Sequence, residues 1–314
     1  MLTRRTVILA KREASYGTDP AMSPSSDGIL AYSVDIDIKG ENLERPVVRD
    51  TLSPMPSVIG MKSATLKFNL ELKGIGATTS VGNWELDDIL SGVGFDTGVY
   101  TGTSTVYSLQ SQESLMSSVS FIVNVDGNIH KICGAKGTMK LVLDAGKYGE
   151  AQFQFDGLYN PVGTGTLYDL SGISNVKPPI VYNSSFAIGS FNPVTSKVEI
   201  DLGNAVTERD SLNATYGVAG FRITDRQKAA MSFDADAVAE SSNPFWGNWE
   251  ASNVQTLGIT IGSNATNVIN LTGYFNMESV KYGDDKGVRK IDCKAGLCSS
   301  DVNSQNNELK ITLY

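Results

Sequence analysis

The chain has 314 residues, enough for two domains of ordinary size, and its 41% hydrophobic and 19% charged residues are globular values. Its 31 glycines against 10 prolines suit a turn-rich β protein rather than a disordered one. A formal net charge of -8 argues against a protein that grips nucleic acid through clustered Lys and Arg, but not against one that DNA must slide past.

Little is left for metal or redox chemistry. The cysteines are Cys133, Cys293 and Cys298, and the one histidine is His130. The Cys293 to Cys298 segment lacks the paired knuckles of a zinc site. Isolated thiols in a protein made in a reducing cytoplasm are expected. The apolar run Val7-Ile8-Leu9-Ala10 stops at Lys11, too short for a signal peptide, and no stretch approaches the roughly 18 apolar residues of a membrane span. The expectation is a soluble protein with no export signal, no membrane partner, no metal and no cofactor.

Residues 1–28 are polar and punctuated by Tyr16-Gly17, Asp19-Pro20 and Ser23-Pro24, which reads as an N-terminal arm. From residue 29 the pattern becomes that of strands. Tyr32 to Ile38 alternates apolar and polar with period two, and so does Leu66 to Lys73. Asn83 to Ser91 breaks the rhythm, because Trp84, Leu86, Ile89 and Leu90 fall near helical spacing before Gly92. A short helix pinned by Trp84 is predicted there. The Gly-, Thr- and Ser-rich stretch at about 92–116 reads as a surface loop or long hairpin. Val119 to Val125, closed by Asp126-Gly127, then Met139 to Leu143, then Phe153 and Phe155, predict three more strands. Residues 160–179, with Asn160-Pro161 and Lys177-Pro178-Pro179, read as a linker.

Beyond the linker the chain repeats itself. Val34-Asp35-Ile36-Asp37-Ile38 returns as Val198-Glu199-Ile200-Asp201-Leu202, and Arg49-Asp50-Thr51-Leu52 as Arg209-Asp210-Ser211-Leu212. Ala64 to Glu71 returns as Ala229 to Asp236, and Gly82-Asn83-Trp84-Glu85 as Gly247-Asn248-Trp249-Glu250. After a change of offset, Met139, Val142 and Gly149 align with Met277, Val280 and Gly287. Pro244 to Ser252 is the helix counterpart, with Pro244 suited to a first turn. The insertion at about 92–116 belongs to the first copy alone. These collinear matches predict a mainly β chain of two tandem domains, 29–159 and 180–314. Each is a β-sandwich or half-barrel with one short flanking α-helix. Phe68, Trp84, Phe233 and Trp249 are the expected core anchors of the repeat.

No catalytic constellation is legible. His130 stands alone in a strand, and there is no Gly-x-Ser-x-Gly elbow. Gly74-Ile75-Gly76 and Gly92-Val93-Gly94 lack the third glycine and the strand-to-helix setting of a phosphate loop. Asp87-Asp88 and Asp284-Asp285 read as solvated surface. The recurrent acids say more. Asp35 and Asp37 share a strand face, as do Glu199 and Asp201; Glu71 shares one with Asn69, and Asp234 with Asp236. Ordinary solvent-facing polarity accounts for them in an isolated chain. Repeated around an axis, one set would form a ring of carboxylates lining a shared cavity.

Several motifs carry a family resemblance. The opening Lys11-Arg12-Glu13-Ala14-Ser15-Tyr16-Gly17-Thr18-Asp19-Pro20 resembles the Lys-x-Glu-x-x-Tyr-Gly-Thr-x-Pro start of siphophage tail tube (major tail) proteins. Glu44 to Leu52 resembles the segment that follows their first strand, and Ile200 to Asp210 with Thr224-Asp225-Arg226 is similar to the same family. The resemblance covers most of the chain. It implies a structural, non-enzymatic protein of the virion tail, made in the host bacterial cytoplasm. Its subunits would stack as rings around a channel for DNA ejection. A chain with two copies builds a pseudo-hexameric ring from three subunits. The implied partners are the chain itself, other tail proteins such as the tape measure, terminator and distal tail protein, and DNA passing without specific binding.

On that reading the lumen is lined by Glu71, Asp234 and Asp236, or alternatively by Asp35, Asp37, Glu199 and Asp201, with few compensating Lys or Arg so that phosphates are repelled. The arm, the linker and the 92–116 insertion are the expected inter-ring contacts, and deleting 95–113 is expected to leave the fold intact. The alternatives are another tail or baseplate ring protein of related fold and a carbohydrate-binding β-sandwich. The latter would want exposed aromatic rows, whereas the three tryptophans sit in or beside the predicted helices.

Overall fold

The computed structural model describes residues 2, 4–76, 84–170, 173, 176–182, 184–264 and 266–314. The first half opens with β1 (Thr6–Arg12), β2 (Gly28–Ile29), β3 (Ala31–Leu43) and β4 (Val58–Glu71). Helix α1 (Asp87–Gly92) follows, then β5 (Val99–Tyr100), β6 (Thr105–Ser108), β7 (Val119–Val125), β8 (Asn128–Asp144), β9 (Glu150–Tyr159) and β10 (Gly163–Thr164). The second half adds β11 (Ser185–Ile188), β12 (Lys197–Asp201), β13 (Ala205–Asp210), β14 (Val218–Asp225) and β15 (Ala230–Asp236). Helix α2 (Phe245–Glu250) precedes β16 (Val254–Ile261), β17 (Ile269–Asp285), β18 (Val288–Leu297) and β19 (Leu309–Leu313). The mainly β fold expected from period-two alternation is the one that forms.

One long sheet runs β3-β4-β9-β8-β12-β15-β18-β17, with every neighbour antiparallel. Residues opposite one another across a ladder share a face, so the alternation in each strand propagates sideways. Leu66, Phe68, Phe153, Met139, Leu141, Ile200, Met231 and Phe233 put a buried apolar face on one side. A second layer covers that face. It comprises β2-β1-β7 with the first part of β8, and β11-β16 with the first part of β17, extended by β19, β6 and β5. Phe121 of β7 meets Phe68 and Phe155 at centroid distances of 5.7 and 4.8 Å, an aromatic contact between the layers. Strands β8 and β17, each 17 residues long, pass from one layer to the other. Each changes register on the way, between Cys133 and Lys136 in β8 and between Met277 and Ser279 in β17. Bulges of this kind let a strand bend.

The pairing series β3-β4-β9-β8-β7-β1 has its counterpart in β12-β15-β18-β17-β16-β11. The ladders shift one of the alignments read from sequence. Met139 lies opposite Phe153, which lies opposite Phe68. Val280, not Met277, holds that relation to Phe233, through Cys293.

Other sequence expectations need correction. Residues 6–12 are not a polar arm but β1, zipped along β7 with Val7 to Ala10 buried. A four-residue apolar run is too short for a signal peptide but long enough for a buried strand. Of the two readings of the 92–116 segment, the hairpin is the one that forms, as β5 and β6, but it is not at the surface throughout: β6 pairs with β19 and buries Tyr107, and Phe95 and Leu109 are also buried. Residues 82 and 83 lie outside the described residues. Helix α1 runs through Gly92, and it is Gly94, at φ +89°, that takes the left-handed conformation after it. Phe68, Trp84 and Phe233 are buried, but Trp249 is 43% exposed and Phe245 fills the core beneath α2. Most of the buried apolar side chains form one contiguous cluster spanning both halves, with a small separate group at Val7, Leu9 and Ile122.

Arg226 shows how the halves are fastened together. Its guanidinium donates to Asn204 Oδ1 at 3.1 Å, to Glu308 Oε1 at 3.1 Å and to the Gln110 carbonyl at 3.3 Å. One side chain thereby ties the β14–β15 turn to the segments before β7 and β19.

Candidate functional site

The side of the long sheet turned away from the core is polar along its whole width. Asp35 faces Lys67, which faces Gln154, which faces Thr138. Glu71 faces Glu150, which faces Val142, which faces Glu199. Glu199 faces Ser232, while Asp234 faces Asp292. Because each opposed pair shares a face, Asp35, Asp37, Glu71, Glu199, Asp201, Asp234 and Asp236 all lie on this one surface. The two acid sets offered by the sequence as alternatives are parts of a single face. The reason is the β8–β12 ladder, which joins the halves into one sheet.

The charge on that face is mixed rather than purely acidic. Lys290 Nζ lies 3.2 Å from Asp234 Oδ2 and 2.7 Å from Asp236 Oδ1. Glu199 is held by Lys140 at 2.9 Å and by Lys197 at 2.5 Å. Hydrogen bonds from Lys197 and then Lys140 push the Glu199 carboxyl below its ordinary range. Burial works to raise Asp234, but donors from Ser196, the Lys197 amide and Lys290 outweigh it and hold this carboxyl low. Lys290 is raised in turn, chiefly by its bond to Asp236. Asp201 Oδ1 accepts the Gly203 N–H at 2.9 Å, closing a turn where Gly203 has φ +56°. Asp35 and Asp37 stay exposed on β3. This face therefore carries its own compensating lysines.

Sequence reasoning missed Glu150, Asp156, Asp292 and the lysines that complete this surface. Glu150 accepts from Tyr32 Oη at 2.6 Å and from Asn69 at 3.0 Å, and Asp156 from Thr65 Oγ1 at 2.6 Å. Their signal was present, since Glu150, Gln152, Gln154 and Asp156 alternate with Ala151, Phe153 and Phe155. The alternation recurs in β18, but with Lys290 in the place of Glu150 and Lys294 in that of Gln154, so the search for repeated acids passes over it.

A second repeated feature is apolar. Leu52 and Leu212 close the two Arg-Asp-(Thr/Ser)-Leu matches, in the loops after β3 and β13, and both are fully exposed. The linker behaves differently: Leu167, Tyr168 and Leu170 pack on Val7, Leu9 and Ile122, on the outer side of β1 and β7.

The His130 imidazole is pushed down by burial. Burial raises the Cys293 thiol to about 12, so this cysteine is kept from its reactive thiolate form. Among the described residues no group of three or more His, Cys, Asp or Glu is placed to hold a metal ion. No helix among them is long and apolar enough to cross a membrane.

Among the described residues, the long sheet ends at β3 on one side and at the second part of β17 on the other, and it carries a polar face. The family model described as phage tail tube protein matches residues 3–297, and the chain belongs to that family. It is a structural component of a bacteriophage tail. No curated protein is similar enough to match it.

Proposed function

We propose that the chain is a tube subunit made of two tandem copies of one strand unit, 29–159 and 180–314, with β1 belonging to the first. Three chains close a pseudo-hexameric ring, and rings stack around a channel through which DNA is ejected. The observation that carries this reading is the ladder between β8 and β12, which joins one half to the other and, among the described residues, leaves β3 and the 281–285 part of β17 as open ends. A sheet with open edges is an aggregation hazard until something pairs them, and ring closure pairs every edge. Ring faces are unlike each other, so rings stack head to tail without closing.

In this reading the polar face of the long sheet lines the lumen. Lysines already engaged by Asp234, Asp236 and Glu199 are withheld from phosphate, so DNA passes without the salt-sensitive grip of a basic groove. The exposed Leu52 and Leu212 loops, rather than the arm or the insertion, make contacts between rings. Tape measure, terminator and distal tail proteins are the further partners. Electron microscopy of tubes grown from the purified protein tests the proposal through ring symmetry. Three chains per ring with Glu71, Glu199 and Asp234 on the inner wall is the expected result; six chains per ring, or these acids on the outer wall, would overturn it.

A further inference from the structure

The halves of the chain are joined by a ladder whose two components recur, unpaired, at the ends of the long sheet. In the joint, β8 carries β9 on one side and β12 on the other, with Lys140 to Asp144 opposite Asp201 to Lys197. The counterpart of β12 is β3, because Ile200 faces Met231 as Ile36 faces Leu66. The counterpart of Lys140 to Asp144 in β17 is Lys281 to Asp285, since Val280 holds the position of Met139. Among the described residues, this stretch of β17 pairs with β18 alone and β3 pairs with β4 alone.

We propose that β3 of one copy pairs with β17 of a second copy in the register of the internal joint, with Asp37 opposite Lys281, Ile36 opposite Tyr282 and Asp35 opposite Gly283. This rests on the ring reading and gives it a residue-level contact. The occupant has to be another copy. Within one chain the two strands stand seven ladder steps apart, roughly 34 Å along the sheet at about 4.8 Å per step.

Exposure marks both strands as unfinished. Val198, Ile200 and Leu202 are 5%, 1% and 0% exposed in the joint, whereas Ile38 is 38% exposed and Val34 and Ile36 are half-buried. Leu141 is 0% exposed, and its counterpart Tyr282 is 60% exposed. Charge agrees as well. Lys140 binds Glu199 across the joint at 2.9 Å, and the counterparts Lys281 and Asp35 are likewise of opposite sign and exposed. A like-charged pair there would work against this register.

The test is disulfide trapping in a Cys298→Ser background. Opposed residues in antiparallel strands have Cα atoms about 4.5–5.5 Å apart, within disulfide range, whereas a two-residue slip takes them beyond it. Oxidation of assembled Ile36→Cys/Tyr282→Cys protein is expected to give covalent multimers on a non-reducing gel, and Ile36→Cys/Asp284→Cys is expected to give none. Tubes that form without the 36–282 link, or that trap the slipped pair instead, overturn this register and leave the ring reading standing. Unmodified protein that stays monomeric at every concentration overturns both. A second measurement uses exposed positions that leave the fold alone. Asp35→Lys and Lys281→Asp are each expected to raise the critical concentration for assembly several-fold, and the double exchange to restore it. Single exchanges without effect count against the contact.

Discussion

The phenol oxygen of Tyr16 accepts the backbone N–H of Phe221 at 2.6 Å and donates to the Gly134 carbonyl at 2.9 Å. A residue in the β1–β2 connection thus fastens β14 of the second half to the bend of β8 in the first. Glycine is needed on both sides of the ring, since a Cβ at Gly134 or Gly220 would come within 2.8 or 2.5 Å of Tyr16 atoms. Glu13 completes the motif. Its buried carboxyl accepts from Ser118 Oγ, Ser120 Oγ and the Gly17 and Gly134 amides at 2.5–2.6 Å.

Tyr16→Phe keeps the ring and removes the hydroxyl, leaving the part-buried Phe221 N–H without its acceptor. A loss of about 1–3 kcal/mol is expected. Urea unfolding of the monomeric form measures it, and an unchanged midpoint would show that water replaces the phenol without cost.

Lys136 is buried, and its ammonium donates to the Met116 and Ser117 carbonyls at 3.0 and 2.5 Å. Burial pushes its pKa down to about 8, from 10.5. Between pH 8 and 10.5 the unfolded chain therefore binds more protons than the folded one, and stability rises with pH through that window. Below pH 8 the lysine is charged in both states and the penalty is fully present. Unfolding curves of the wild type and Lys136→Met, taken from pH 7 to 10.5, should differ in slope, with the rise smaller in the variant. Parallel curves would remove Lys136 as its source.

Deleting residues 95–113 is expected to abolish folding rather than assembly alone. The deletion takes out Phe95, Tyr107 and Leu109, each at most 1% exposed, together with the β6 edge that pairs with β19. Loss of any one large buried side chain costs about 2–5 kcal/mol, and three exceed the stability of a typical domain. Differential scanning calorimetry should show no cooperative transition; a normal one would return the segment to the status of a dispensable loop.

Leu52→Asp with Leu212→Asp should leave the unfolding free energy within about 0.5 kcal/mol of wild type, because both side chains are fully exposed. Tube elongation, followed by light scattering and negative-stain microscopy, should be lost while single rings persist. Tubes of ordinary length would free both leucines from ring stacking.

Local rules made much of this legible in the sequence. Period-two alternation marks β4 and β9, which each bury one face, and β3, whose apolar side is half-buried; β7 alternates too but is buried on both faces. Asp126-Gly127 marks the β7–β8 turn because both residues adopt positive φ. The matches between the halves placed Ile36 with Ile200 and Phe68 with Phe233, and the ladders agree. Tertiary structure decided what depends on neighbours far along the chain. Trp84 and Trp249 sit in matched tetrapeptides, yet the first is buried beside Tyr107 of an unmatched insertion while the second stays at the surface. The apolar run at 7–10 became a strand because β7, more than a hundred residues later, offers its edge. Asp35, Glu71, Glu199 and Asp234 came onto one face because β8 accepts β12 in a register that keeps the pleat in phase across the halves. No window of sequence contains that register, which is set by packing of the apolar face beneath it.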